Sequence, residues 1–102
     1  MRLVQLLLPL SDNNKQPFGR EAFDEVKDEL AQKFGGVTAF RRSPAEGVWR
    51  DGENQTSQDE VVIFEVMCDE LDHKWWSGYR IKLEERFRQD KLIIRATYFE
   101  QL

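Results

Sequence analysis

The sequence is poor in the residues that build metal sites and disulfides. It contains a single cysteine, Cys68, and a single histidine, His73, among its 102 residues. One cysteine excludes an intrachain disulfide and suits a reducing cytoplasm, which is the location we expect. The acidic residues between Cys68 and His73 fit ordinary helix capping better than a zinc site, because zinc needs more ligands of the right type. We therefore expect no metal and no cofactor.

The sequence also lacks an excess of basic residues and a long apolar run. Its 15 basic and 19 acidic side chains give a net charge of −4, which does not attract polyanions, so we expect neither nucleic acid nor membrane as a partner. The apolar start, Met1–Leu10, is interrupted by Gln5, lacks a small-residue cleavage site and is too short to cross a bilayer. We interpret it as a strand. No catalytic motif, cofactor motif or internal repeat stands out.

Hydrophobic periodicity predicts six elements in a single domain spanning residues 1–102. Alternation of period two indicates strands, and apolar residues three to four apart indicate helices. The resulting order is βαββαβ, which is typical of a ferredoxin-like α+β fold: a four-stranded antiparallel sheet with two helices on one face and strands one and three central. The predicted strands are residues 2–10, 37–42, 59–68 and 91–99, and the predicted helices are residues 20–34 and 73–89.

Both predicted helices carry clear boundary signals. Gly19 and Asp72 stand at the two N-cap positions, and Gly35 can adopt the left-handed conformation that ends the first helix. On the solvent-facing side of the second helix, Arg86 can pair with Asp90 one turn later. The stripe of the second helix that faces the sheet is predicted to contain Trp76, Tyr79, Leu83 and Phe87.

The chain between strands two and three, residues 43–58, is long for so small a domain. We interpret it either as a ragged hairpin arm or as an ordered loop around Trp49. Trp49 can anchor this segment on the sheet or on a neighbouring subunit, since aromatic side chains dominate interface burial. Alternatively, with Arg41, Arg42 and Arg50, it can cap a pocket for a small anionic molecule.

The sheet face opposite the helices is predicted to be too apolar to remain in water. Such a face implies a partner, and a face-to-face homodimer is the simplest cover. Within it, alternation places one polar residue on each of three strands, Gln5, Glu65 and Arg95, which form a row if the registers align. The predicted face contains Leu3, Gln5, Leu7, Val61, Ile63, Glu65, Met67, Ile93, Arg95, Thr97 and Phe99.

Glu65 is the polar residue with the largest expected consequence. A carboxylate inside an apolar strand needs a partner, and Arg95 is the obvious one, so removing Glu65 is expected to cost about 2–4 kcal/mol. The two residues can be an ion pair that fixes dimer register, or they can belong to a ligand or catalytic site. The candidate ligand-binding residues are Glu65, Arg95, Gln5, Arg42 and Trp49.

Two functional classes follow. The first is a non-enzymatic, oligomeric small-molecule-binding or regulatory domain. The second is a small enzyme of the dimeric α+β barrel type, acting on a small anionic molecule in a cavity lined by Glu65 and Arg95, with Glu65 as acid or base.

Five blocks of the sequence stand out: Phe34–Phe40, Glu46–Trp49, Asp59–Met67, Trp75–Trp76 and Arg86–Asp90. Together they resemble a family of uncharacterised bacterial proteins of about this length. The resemblance covers the whole chain and implies a stand-alone bacterial protein of ferredoxin-like fold, without implying an activity. The Gly-Gly turn into strand two and the long segment before strand three are also similar, more loosely, to nitrogen-regulatory and metal-tolerance proteins.

Overall fold

The structure, a computed structural model, describes the backbone of residues 1–50 and 56–102 and the side chains of residues 1–40 and 61–102. The described elements follow the order βαββαβ. They are β1 (Arg2–Pro9), α1 (Arg20–Phe34), β2 (Thr38–Arg50), β3 (Thr56–Cys68), α2 (His73–Arg86) and β4 (Ile93–Tyr98).

The four strands form one antiparallel sheet in the order β2-β3-β1-β4, so β1 and β3 are central. Both helices lie on one face of the sheet, and we call the other face the open face. The predicted ferredoxin-like fold is therefore confirmed. The core beneath the helices contains Val4, Leu6, Leu8, Phe23, Val26, Leu30, Val62, Phe64, Val66, Trp76, Tyr79, Leu83, Phe87 and Leu92.

The predicted end of β2 at residue 42 is wrong. The strand continues to Arg50 and pairs with β3 from Thr56 onward, which makes this segment a hairpin arm rather than a loop around Trp49. The pairing is irregular between Phe40 and Ala45. Phe40 is paired with Ile63 and Ala45 with Val61, so the four residues 41–44 of β2 lie opposite the single residue Val62 of β3. Such a bulge disturbs the alternation of the side chains, and that is why the sequence pattern no longer indicates a strand.

The second helix ends three residues earlier than predicted, at Arg86. Arg88 adopts a left-handed backbone conformation with φ of 52°, and the N–H of Gln89 donates to the carbonyl oxygen of Glu84 at 2.9 Å. This closes the helix in the way a C-terminal glycine usually does, although the sequence places no glycine there.

The other helix boundaries were predicted correctly. Gly35 has a φ of 82°, and its N–H donates to the carbonyl oxygen of Ala31, which ends α1. Asp72 caps α2, since its Oδ1 accepts from the N–H of Trp75 at 3.0 Å. The turn at Gly35 sets the path from α1 into β2, and the turn at Asp72 sets the path from β3 into α2.

Candidate functional site

The strand registers place polar residues side by side across the sheet. Gln5 on β1 is paired with Glu65 on β3 and with Arg95 on β4, and Glu65 is paired in turn with Thr38 on β2. The row of Gln5, Glu65 and Arg95 that alternation predicted is therefore present on the open face. We call Glu65, Gln5 and Arg95 the polar row. Whether they bind a ligand stays a prediction.

Gln5 connects the two charged members of the polar row. Its Nε2 donates to Oε1 of Glu65 at 2.9 Å, and its Oε1 accepts from Nε of Arg95 at 2.8 Å. The direct contact expected between Glu65 and Arg95 is not formed. The reason is geometric: β1 lies between β3 and β4, and strands two places apart are separated by about 10 Å.

The polar row is accessible in the single chain. Glu65 is half-buried and Arg95 is exposed, so neither is the buried charge that the sequence predicted. A carboxylate and a guanidinium in contact with water do not carry the cost of an unpaired charge inside a core. The large loss of stability expected from removing Glu65 therefore requires that something covers the open face.

Large apolar side chains flank the polar row on the open face. Met67 is 53% exposed, Phe40 44% and Ile93 42%, and Leu3, Leu7 and Ile63 are half-buried among them. An exposed apolar patch of this kind on a soluble domain usually marks an interaction surface or a binding groove. The fold itself does not require the patch, because the helices already bury the opposite face.

A concave pocket of about 370 Å³ opens beside Glu65. It lies where the turn after α1 enters β2, next to the exposed end of β3. A volume of this size is within the usual range for small-molecule sites. Its lining contains Leu3, Phe34, Gly35, Gly36, Val37, Thr38, Glu65, Val66 and Met67.

Two of the predicted ligand-binding residues cannot be placed relative to the polar row. Arg42 and Trp49 belong to β2, but their side chains lie outside the described residues. The polar row thus unites three of the five candidates, and the roles proposed for Arg42 and Trp49 stay predictions.

Sequence reasoning missed a second polar cluster, between the helices. Arg86 donates to Glu29 of α1 through both terminal nitrogens, at 2.7 and 3.2 Å, instead of pairing with Asp90. Tyr79 and Lys82 also donate to the Glu29 carboxylate, at 3.0 and 3.2 Å. We call these four residues the interhelix cluster. Periodicity could have placed Glu29 and Arg86 on their helix surfaces, but only the packing of the two helices brings them together.

Ionisation in the interhelix cluster is strongly perturbed. The hydrogen bonds from Arg86 lower the pKa of Glu29 from 4.5 to about 2, against the opposing effect of burial. Burial, with the nearby Glu29 charge, raises the pKa of Tyr79. Perturbed groups often mark active sites, but here every charge has a partner of the opposite sign. We therefore assign the cluster to the docking of α1 against α2.

The remaining sequence candidates give no reactive centre. Cys68 is half-buried, and burial raises the pKa of its thiol, which makes the thiolate scarcer at neutral pH. Over the described ranges, no group of three or more histidine, cysteine, aspartate or glutamate side chains is arranged to hold a metal ion.

In the same ranges no helix is both long and apolar enough to cross a membrane.

Comparison with known proteins identifies fold neighbours. No protein-family model and no curated protein matches the sequence. A phage SAM lyase in complex with S-methyl-5′-thioadenosine superposes with a TM-score of 0.63 at 14% identity, covering 94% of this chain and 79% of that one. A phage SAM lyase in its apo state gives a TM-score of 0.59 at 15% identity, covering 94% of this chain and 78% of that one.

A third solved structure, CutA from Pyrococcus horikoshii, has a TM-score of 0.58 at 12% identity and covers 100% of this chain and 87% of that one. At such low identity these likenesses show the fold alone. They agree with the looser resemblance to ferredoxin-like proteins. The bacterial family inferred from the sequence blocks stays a prediction.

Proposed function

We propose that this chain is a non-enzymatic, homo-oligomeric domain that binds a small molecule at the polar row, in a regulatory or carrier role in the bacterial cytoplasm. The observation that carries the proposal is that both ends of the row have hydrogen-bonding groups that no other described residue contacts. Within the described part of the chain, Oε2 of Glu65 and the two terminal nitrogens of Arg95 have no hydrogen-bonding partner. A ligand with an anionic group for Arg95 and a donor group for Glu65 satisfies both ends.

The partner that best covers the open face is a second copy of the chain. The polar row has a negative end on β3 and a positive end on β4. A two-fold axis that runs parallel to β1 above Gln5 therefore places each Glu65 over the partner subunit's Arg95. No like charges meet in this arrangement. Each end of the covered row then contains the carboxylate of one subunit and the guanidinium of the other, so it offers partners for both charges of a zwitterionic ligand. The flanking Phe40, Met67 and Ile93 supply the apolar surface that such an interface buries.

We expect purified protein to be a dimer by light scattering at micromolar concentration, and Ile93→Glu to make it monomeric. Ile93 is 42% exposed on the open face, and a charge there opposes burial. Ile81→Glu is the matched control, because Ile81 is 54% exposed on α2, away from this face. A wild-type monomer, or an Ile93→Glu variant that still dimerises, would contradict the proposed interface.

We expect a ligand for the polar row to raise the melting temperature of the protein in a panel of small zwitterionic and anionic metabolites. Saturation at about 100 times Kd adds about 2.7 kcal/mol, equivalent to a shift of roughly 10 °C in a domain of this size. S-methyl-5′-thioadenosine, which is uncharged at neutral pH, is added to the panel because a fold neighbour was solved in complex with it.

Glu65→Gln and Arg95→Met should each remove the ligand-induced shift. Thr97→Ala should retain it, because Thr97 lies on the same face of β4 but outside the polar row. If the panel gives no shift, or if both row variants respond like the wild type, the polar row is not the binding site.

A second candidate function, an enzyme, is favoured by one observation: the pocket of about 370 Å³ beside Glu65. In this alternative Glu65 is the acid or base in that pocket. Arg95 lies across β1 and does not line the pocket, so it holds the anionic end of a substrate that extends along the polar row. A compound from the panel that is consumed by the wild type, and bound but not consumed by Glu65→Gln, would identify an enzyme. Binding without consumption by the wild type supports the non-enzymatic proposal.

A further inference from the structure

β4 is an edge strand of the sheet, and among the described strands its one partner is β1. The N–H of Phe99 donates to the carbonyl oxygen of Met1 on that side at 3.2 Å. Because backbone groups alternate in direction along an antiparallel strand, those of Ile94, Ala96 and Tyr98 point away from β1. In the described ranges no hydrogen bond occupies them. Two residues before Ile94, the N–H of Leu92 also points outward, and it donates to Oε2 of Glu84 at 3.0 Å.

A continuous groove runs beside this edge, between β4 and α2. It consists of two concavities of about 270 and 390 Å³ that share Leu71, His73 and Ala96. The groove exists because α2 leaves the edge strand uncovered: Ala96 is exposed although it lies on the helix-covered face, and Tyr98 is 78% exposed.

The groove is apolar at its base and basic at its ends. Trp76 and Ile94 contribute apolar surface in the first concavity, and Arg80 lies at that end. Arg2 lies at the other end, where it donates to the hydroxyl of Tyr98 and its guanidinium sits 3.6 Å from the centre of that ring. Glu70 is the one acidic side chain among the described residues that line the groove. This basic character stands out in a chain of net charge −4.

We propose that the β4 edge and its groove form a docking site for an extended, acidic and apolar segment of a partner protein, which adds to the sheet as a fifth strand. Backbone groups of Ile94, Ala96 and Tyr98 pair with the segment. Its alternate side chains enter the two concavities, as strand addition requires. Its acidic side chains meet Arg80 and Arg2, so the charge of the groove selects the sign of the partner.

A second copy of β4 is a poorer occupant of this edge. Arg95 lies near the middle of β4, so two-fold pairing of two β4 strands brings the two Arg95 side chains close together on one face of the sheet. Like charges across neighbouring strands destabilise the pairing. An acidic segment places a carboxylate there instead.

The test uses the full chain and a fluorescein-labelled heptapeptide, Glu-Thr-Val-Glu-Val-Thr-Glu. Its groove-facing side chains are two valines flanked by glutamates, and its central glutamate faces Arg95 on the other side of the sheet. A peptide with lysine in place of each glutamate is the comparison. Fluorescence anisotropy should show binding of the glutamate peptide alone. Ala96→Pro removes an outward N–H and leaves the hydrogen bonds to β1 intact, so it should weaken binding about tenfold or more. Gln32→Ala, which changes an exposed side chain of α1 that lines neither concavity, is the control.

Arg80→Glu provides an independent test, because Arg80 forms no ion pair within the described part of the chain and the variant should fold normally. It should weaken binding of the glutamate peptide and permit binding of the lysine peptide. Thermal melts show whether Ala96→Pro is folded; if it is not, Arg80→Glu decides alone. The proposal is overturned if both peptides bind equally, if neither binds, or if folded Ala96→Pro binds the glutamate peptide like the wild type. It is also overturned if Ala96→Pro dissociates an oligomer that the glutamate peptide cannot disrupt, because the edge of β4 is then an interface between copies of this chain.

Discussion

Replacing Phe87 with alanine should lower the free energy of unfolding by about 3–5 kcal/mol, the largest effect we expect from a single substitution. Phe87 is fully buried just after α2, and its ring lies 5.0 Å from that of Phe18 and 5.6 Å from that of Phe23. It thereby joins the end of α2 to the start of α1. Truncation leaves a cavity that the sheet beneath cannot fill, because strands paired on both sides move little. Urea denaturation followed by circular dichroism measures the loss.

Ile81→Ala is the control for this measurement. Ile81 is an apolar residue of α2 that is 54% exposed, so its truncation should change the free energy of unfolding by less than about 0.5 kcal/mol. If Phe87→Ala cost no more than Ile81→Ala, the described packing between the helix ends would be wrong.

Replacing Glu29 with glutamine should cost about 2–3 kcal/mol at neutral pH. Glu29 accepts hydrogen bonds from Tyr79, Lys82 and Arg86, and the Arg86 side chain is only 17% exposed. Removing the carboxylate charge leaves that guanidinium without its main partner in a poorly solvated place. Urea denaturation at pH 7 measures the change.

The same substitution should also abolish part of the acid sensitivity of the protein. The pKa of Glu29 is lowered from 4.5 to about 2 in the folded chain, so its stabilisation is fully present above about pH 4.5 and is lost as the pH falls toward 2. The difference in stability between the wild type and Glu29→Gln should therefore shrink steadily over this interval. A difference that stays constant down to pH 2 would show that the Glu29 charge is not what stabilises the helix pair.

Glu25→Gln is the matched control for Glu29. Glu25 also contacts Arg86, at 3.5 Å, but its side chain is 60% exposed. An ion pair so open to water contributes little, and we expect a change below about 0.5 kcal/mol without a distinct dependence on acid pH.

Where the pattern of one segment is enough, the sequence predicted the structure well. Gly35 and Asp72 marked helix ends because their preferences act within a few residues. The inward stripe of α2, which is Trp76, Tyr79 and Leu83, followed from the helical repeat alone, as did the burial of Phe87 just after the helix. The end of α2 was misplaced because Arg88 adopts a left-handed conformation that is uncommon for a residue with a side chain.

The sequence left the hairpin arm as one of two alternatives for residues 43–58, because a strand pattern depends on regular alternation. The backbone pairing is irregular between Phe40 and Ala45, and a strand interrupted in this way has no single period of two in its sequence, so the continuation of β2 to Arg50 carries no simple signal. The interhelix cluster was missed for a different reason. Arg86 had an acceptable partner in Asp90, one turn away, and nothing local indicates that Glu29 of another helix lies closer.

By itself the sequence determined the order of the elements, their inward faces and the candidate polar residues of the open face. These follow from short-range periodicity and from the cost of placing apolar side chains in water. Only the tertiary structure decided the register that aligns Gln5 with Glu65 and Arg95, the insertion of Gln5 between the two charges, and the pairing of Glu29 with Arg86. Those depend on contacts between residues far apart in the chain, where a shift of one residue changes every partner while leaving the local pattern intact.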